Sequence, residues 1–516
     1  MAKFNNVKTF FSKLFGYPWY PLVISAYPAL ALLSANTGQV RLNAGVRPMI
    51  ASVIFGGIVF FIVWLYFRKI HKAAFLTMLL VTLFFTYGHA FIYIDKKYPK
   101  SNYIMWLEVG WIILLALSIF WVTRPKLTFV SSASTLNIVA LALLIMSVGP
   151  ISLQSEPRSV HALGLESAPV ESGLTRPENP PDVYFFLLDS YGRADLLKQA
   201  YGFDNSEFVN ELEQRGFFIA KCSQSNYVRT EISLGSSLNM QYLQKLSDTY
   251  TSDSTARHLL WDSLKHSAVR YNFESMGYET VTFDTGFEWL NISDTDHFIS
   301  PPPASSGMTE FEGLFMRTTA ARFAQDLGWV DPDYLLGVGF RDRFNNVFDH
   351  IENVAKIQPP TYSYIHIISP HPPFVFDPEG NPTYPPDFWN EQREYPPDLY
   401  QKGYVNQVQF LNKKMIQAID TILANSETPP IIILQGDHGP WLQPTDKRFR
   451  NLTAIYFPDH KDKLYSTITP VNIFRLVFNT YFGGKYDILD NVSYFSPVPK
   501  IYNFSEMPHP CDFPNN

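Results

Sequence analysis

"PPIIILQGDHGPW" spans residues 429–441. Four apolar residues, Ile431 to Leu434, run through Gln435 into Gly436, Asp437, His438, Gly439 and Pro440. An apolar run of this length, bounded by breakers on both sides, predicts a strand covered on both faces of its sheet. In open α/β sheets, ligand sites gather at the carboxyl ends of the strands. Asp437 and His438 fall at such an end, although Asp and Gly also make ordinary turns. The rest of the chain has to separate the two readings.

Working outward, the pattern around this strand alternates. "DVYFFLLDSYGR" (182–193) predicts a strand ending on Asp189. Asp204 and Glu207 have capping-box spacing, and with Gly216 as the stop they predict a helix between. Residues 263–277 read as one helix stopped by Gly277, followed by a strand ending on Asp284. "TYSYIHIISPHPPF" (361–374) predicts a strand ending at His371, and 404–423 an amphipathic helix leading into the opening strand. Residues 451–458 read as a further strand and 469–484 as a closing helix. Strands alternating with helices predict a largely parallel sheet with helices on both faces.

Asp189, His371, Asp437 and His438 therefore share one kind of position, the C-terminal end of an apolar strand. Singly, each reads as a turn or cap residue; together they point to a site. Two carboxylates, an imidazole and a hydroxyl suit a divalent metal such as zinc or manganese. The hydroxyl is sought in "NYVRTEISLGSS" (226–237), where Thr230 precedes an apolar-periodic stretch and so falls near a helix N-terminus. Exposed N–H groups there attract anions such as phosphate. The simpler reading is an N-cap threonine. Ser233, Ser236 and Ser237 are rival hydroxyls, placed deeper in the same expected helix.

The N-terminal part is of another kind. Five apolar stretches, roughly 19–33, 49–66, 73–94, 104–122 and 129–151, each approach the length that crosses a bilayer. The first is the weakest, because it carries Pro21 and Pro28. Residues 1–151 thus read as a transmembrane domain, 152–182 as a Ser-, Pro- and Glu-rich tether, and 183–516 as the α/β domain. Lys3, Lys8, Lys13, Arg68, Lys69, Lys72, Arg124 and Lys126 flank the spans on one side, against five basic residues on the other. That asymmetry puts the N-terminus in the cytoplasm and the C-terminal domain outside it. Glu108 lies near the end of the fourth stretch, at headgroup depth.

Composition narrows the options. A net charge of −6 and the lack of any Lys/Arg-rich run argue against nucleic acid. Two cysteines, Cys222 and Cys511, exclude a disulfide scaffold and a Cys-based zinc cluster. Outside the cytoplasm the two could pair.

The motifs "FLLDSYGR" (186–193), "NYVRTEIS" (226–233), "SPHPPF" (369–374) and "QGDHGPW" (435–441) resemble those of the alkaline phosphatase superfamily, in its sulfatase-like branch. The chain is most similar to membrane enzymes of the lipoteichoic acid synthase and lipid A phosphoethanolamine transferase type. The resemblance implies five transmembrane helices, a connecting segment and an extracytoplasmic α/β domain with one catalytic metal. By motif, Asp189, Thr230, Asp437 and His438 match the metal ligands, Thr230 matches the nucleophile, and His371 matches the histidine on the substrate phosphate. Two departures stand out: Arg229 occupies the place of a small residue before the threonine, and Asp189 that of a glutamate.

The resemblance implies transfer of a phospho-alcohol group, glycerol phosphate or ethanolamine phosphate, from a phospholipid donor to an envelope glycan, polymer or lipid. A membrane-anchored phosphodiesterase, phosphatase or sulfatase-like hydrolase is the alternative, and an inert envelope binding protein a third. Formylglycine sulfatases need a C/S-x-P-x-R segment, which the chain lacks, since Cys222 begins "CSQSN". An inert member should have lost a ligand, and none is missing. A second metal would need a D-x-x-x-H element, and Asp262…His266 offers that spacing only inside an expected helix. One metal is expected.

Overall fold

A computed structural model of the protein describes residues 16–36, 42–98, 103–152, 173–246, 251–254, 257–302, 309–326, 332–358, 360–383, 396–498, 500–509 and 511. The chain divides into two compact units, residues 1–156 with 308–332, and 157–307 with 333–516. Residues 153–172, most of the expected tether, lie outside the described residues, as do Lys3, Lys8 and Lys13.

The first unit is helical: α1 (Tyr20–Ala35), α2 (Val46–Phe67), α3 (Ile70–Lys97), α4 (Ile104–Thr123) and α5 (Ser132–Ser152). By length and composition, α2 to α5 can cross a membrane. The first apolar stretch folds as the 16-residue α1. At 1.5 Å per residue it spans about 24 Å, short of a hydrocarbon core of about 30 Å. Four helices, rather than five, thus reach spanning length among the described residues. Ala29 of α1 packs with Val81 and Phe85 of α3. The Tyr20 N–H donates to Asn137 Oδ1 at 2.9 Å, holding α1 to α5. Ile112, Leu117 and Phe120 of α4 face outward, as lipid-covered side chains do.

The second unit is built on a seven-stranded sheet. Its strands are β1 (Val183–Leu188), β2 (Phe218–Ile219), β3 (Glu279–Phe283), β4 (His297–Ile299), β5 (Thr361–Ile367), β6 (Ile431–Gly436) and β7 (Thr453–Tyr456), in the order β2-β7-β6-β1-β5-β3-β4. β6, β1, β5, β3 and β4 are mutually parallel, whereas β7 runs antiparallel to both β6 and β2. Every residue of β1, β5 and β6 is buried, the polar Ser363, His366 and Gln435 included.

Helices cover both faces. They are α6 (Ala194–Tyr201), α7 (Ser206–Gln214), α8 (Thr230–Ser237), α9 (His258–Lys265), α10 (Ala268–Ser275), α11 (Pro332–Val354), α12 (Pro397–Asn425) and α13 (Pro470–Tyr481). Alternate residues of β1 serve opposite cores. Tyr184, Phe186 and Leu188 pack with Val347 and Ile351 of α11 and Val408 and Leu411 of α12. Val183, Phe185 and Leu187 pack with Val269 and Phe273 of α10 and Phe474 and Val477 of α13. Each such fully buried side chain stabilises the fold by about 1.5–3 kcal/mol.

Three local expectations change. The Asp204/Glu207 capping box does not form: Asp204 Oδ1 accepts from the Ser206 N–H at 3.1 Å, Asp204 pairs with Lys198, and α7 starts only at Ser206. The segment 263–277 is split, because Ser267 caps a new helix by accepting from the Arg270 N–H. β5 stops at Ile367, so His371 is not its terminal residue; the chain leaves the sheet before Pro370. Residues 173–182 belong to the second unit, where the Thr175 N–H donates to Phe482 O at 2.9 Å and Asp182 accepts from the Thr361 N–H at 2.7 Å.

Candidate metal and phosphoryl-transfer site

Register builds the site. Leu188 pairs with Ile367 on one side and Gly436 on the other, so β1, β5 and β6 end level. The next residues of β1 and β6 are Asp189 and Asp437, side by side at the C-terminal edge. Ligand atoms of Asp189, Asp437 and His438 all lie within 4.8 Å of one another, and all three residues are buried.

Their hydrogen bonds fix what each atom can still do. Asp437 Oδ1 accepts from the backbone N–H groups of Ser190 and His438, both at 2.8 Å. Asp437 Oδ2 has no hydrogen-bond donor, although His438 Nε2 stands 3.3 Å away. His438 Nδ1 donates to Gly439 O at 2.8 Å, which leaves Nε2 as the ring nitrogen turned to the cluster. Burial raises the pKa of Asp437, and the charge of Asp189 raises it further. Burial alone would also raise Asp189, but the charges of His371, His366 and His438 outweigh it and hold that carboxyl well below the usual range. At an effective dielectric of about 20, two carboxylates this close repel by about 3 kcal/mol or more. A divalent cation between them would remove the repulsion and satisfy the unpartnered Asp437 Oδ2, so the residues fit a metal.

Thr230 is the first residue of α8, after Arg229 in extended conformation. Its Oγ1 lies 3.5 Å from His438 Nε2. First-turn N–H groups have no partner within a helix, and they face whatever Thr230 faces. The rival serines point elsewhere: Ser233 Oγ donates to Asp437 O at 2.8 Å, Ser236 Oγ to Gln241 O at 2.8 Å, and Ser237 Oγ to Leu234 O at 3.4 Å. Ser233 thereby fastens α8 to the Asp-His turn, with Thr230 one turn nearer the edge.

His371 reaches the site from beyond the strand, where its N–H donates to Asp189 O at 3.0 Å. Gln407 Nε2 donates to His371 O at 3.1 Å and accepts the Val375 N–H through Oε1, which holds the proline-rich turn. Sequence reasoning missed His366. It lies on β5 opposite Leu187, with Nε2 3.3 Å from Asp189 Oδ2. Between Ile365 and Ile367 it reads as a core histidine, and only the strand register exposes its role. Asp262 and His266 form no such cluster: His266 faces Asp294 at 3.9 Å. Cys222 and Cys511 are joined as a disulfide.

No family model and no curated protein matches the chain. Among solved structures, it is similar to the zinc complex of the C-terminal periplasmic domain of EptC from Escherichia coli, at 12% identity and TM-score 0.43, covering 66% of this chain and 96% of that one. It is similar to the integral membrane lipooligosaccharide phosphoethanolamine transferase A from Neisseria meningitidis, at 11% identity and TM-score 0.40, over 90% of this chain and 95% of that one. A third is the lipoteichoic acid synthase LtaP from Listeria monocytogenes, at 14% identity and TM-score 0.37, over 64% and 80% of the two chains. Both kinds of enzyme that the motifs resemble thus occur among the matches. The chemistry rests on the residues of the site instead.

Proposed function

We propose that this chain is a membrane enzyme of the alkaline phosphatase superfamily. It moves a phospho-alcohol group, of the glycerol phosphate or ethanolamine phosphate type, from a phospholipid to an envelope acceptor through a phosphorylated Thr230. The observation that carries this reading is the meeting of Thr230 Oγ1 with the buried cluster of Asp189, Asp437 and His438.

Asp189, Asp437 and His438, with Thr230, would hold one divalent cation, manganese or zinc, which when bound lowers the pKa of a hydroxyl and neutralises charge on a phosphoryl group. Thr230 Oγ attacks the phosphorus of the donor diester. Oγ gives up its proton as the bond to phosphorus forms, the bond to the diacylglycerol oxygen breaks, and that oxygen takes up a proton. His371 would deliver the proton or hold a non-bridging oxygen. The first-turn N–H groups of α8 offer fixed dipoles to the anion. An acceptor hydroxyl then attacks the same phosphorus, breaks the Thr230–phosphorus bond and restores the threonine. With water as acceptor the same residues make a phosphodiesterase.

The four long apolar helices fit an enzyme kept in the plane of its lipid donor. A disulfide between Cys222 and Cys511 fits a C-terminal unit outside the reducing cytoplasm. Purified full-length protein incubated with vesicles of head-group-labelled phospholipid tests the reading: diacylglycerol and labelled acceptor should appear together. Label released only as free phospho-alcohol makes the protein a hydrolase, and no release at all contradicts both.

A further inference from the structure

Arg229 has no task in the mechanism above, although it directly precedes Thr230. It is half-buried, its Nε has no hydrogen-bond partner, and its guanidinium carbon lies 5.7 Å from the ring centroid of Trp441. A second guanidinium, that of Arg448, lies over the same ring at 3.9 Å, and its Nε also lacks a partner. Arg448 is only 7% exposed. Its Nη2 donates to Val228 O at 2.9 Å, and its carbonyl accepts from the Gly439 N–H at 2.6 Å. Arg448 is thus fastened both to the segment that ends in Thr230 and to the turn that carries Asp437 and His438.

The neighbouring arginines are differently placed. Arg193 and Arg450 both grip Asp195, and Arg257 pairs with Glu231. Among the described residues, neither Arg229 nor Arg448 forms a salt bridge. Burial and the charge of Arg229 pull the Arg448 guanidinium down to about 10. Two like charges held together beside the cluster, each with an Nε turned to no acceptor, carry a cost that an anion between them would relieve.

We propose that Arg229 and Arg448, backed by Trp441, form an anion subsite that holds the non-bridging oxygens of the phosphodiester attacked by Thr230. This rests on the phosphotransfer reading. Charge supports it: two carboxylates and one divalent cation sum to zero, leaving the negative charge of the diester and that developing on Thr230. Two guanidiniums offset both, and their planar N–H forks match phosphate oxygens.

The test uses full-length zinc-loaded protein on a Thr230→Ala background, titrated with inorganic phosphate and followed by calorimetry. Arg229→Gln should weaken phosphate binding at least tenfold, with zinc content unchanged, and Arg229→Lys should restore part of the loss. Arg448→Gln should act alike; if it fails to fold, the half-exposed Arg229 decides alone. With Thr230 intact, Arg229→Gln should raise the KM for vesicle phospholipid by a similar factor. Phosphate affinity within twofold of the parent in Arg229→Gln overturns the subsite, even if head-group transfer proceeds. Arginine-dependent phosphate binding without any transfer supports the subsite and defeats the transferase reading instead.

Discussion

At the scale of single residues, the groups proposed to hold a cation differ from those proposed to act on phosphate. Asp437 lies at the centre of the cluster with one oxygen fixed by two backbone N–H groups and the other bare. Asp437→Ala should lose bound metal and activity together. The hydrogen bond that joins His371 to the cluster is made by its backbone N–H, so His371→Ala should retain close to one metal per chain and lose turnover by about 10²–10⁴-fold, the usual worth of a general acid or base. Elemental analysis beside the assay checks both, and metal lost from His371→Ala would make that histidine a ligand. The residues legible in the sequence were those at ends of apolar runs. Asp189, Asp437 and His438 could be named because an acid or imidazole after such a run is out of keeping with it. His366 could not, since its partner Asp189 is 177 positions away and only strand pairing brings them to 3.3 Å.

At the scale of elements, the ends of β1 and β6 must stay level for the carboxylates to meet. Gly436 permits this. A Cβ there would stand 2.3 Å from Tyr191 O, a backbone atom of the turn that follows Asp189. Gly436→Ala should therefore push the two turns apart, cost about 1–3 kcal/mol of stability and weaken metal binding at least tenfold. Gly202→Ala is the control: it sits at φ +64° with open space around it, so it should cost about 1 kcal/mol and leave metal affinity alone. Thermal melts and metal titrations of the two variants distinguish site geometry from general strain. The long strands and α13 were legible because periodicity and burial agree there. The two-residue β2 and three-residue β4 were not, being too short to show any period. The capping box failed at Asp204 because its carboxylate turns to Lys198 and to the Ser206 N–H, a local choice that spacing does not reveal. A complete capping box does form at Thr309 and Glu312.

At the scale of the whole molecule, the chain carries an apolar helical unit and an α/β unit, and the proposed function requires the second to lie outside the cytoplasm. The apolar runs made the first legible, but not the shortness of α1, because the end of a helix depends on packing and on residues beyond the hydrophobic window. Protease added to intact spheroplasts should remove the second unit, and thiol reagents should label Cys222 and Cys511 only after reduction; full protection, or labelling without reductant, would place that unit in the cytoplasm. The central claim is the covalent one. Its most direct measurement is peptide mapping by mass spectrometry of full-length enzyme quenched during turnover on phospholipid vesicles. A phospho-alcohol mass on Thr230, absent from Thr230→Ala and unchanged in Ser236→Ala, is the predicted result. That mass on Ser233, Ser236 or Ser237 with Thr230 unmodified would contradict it.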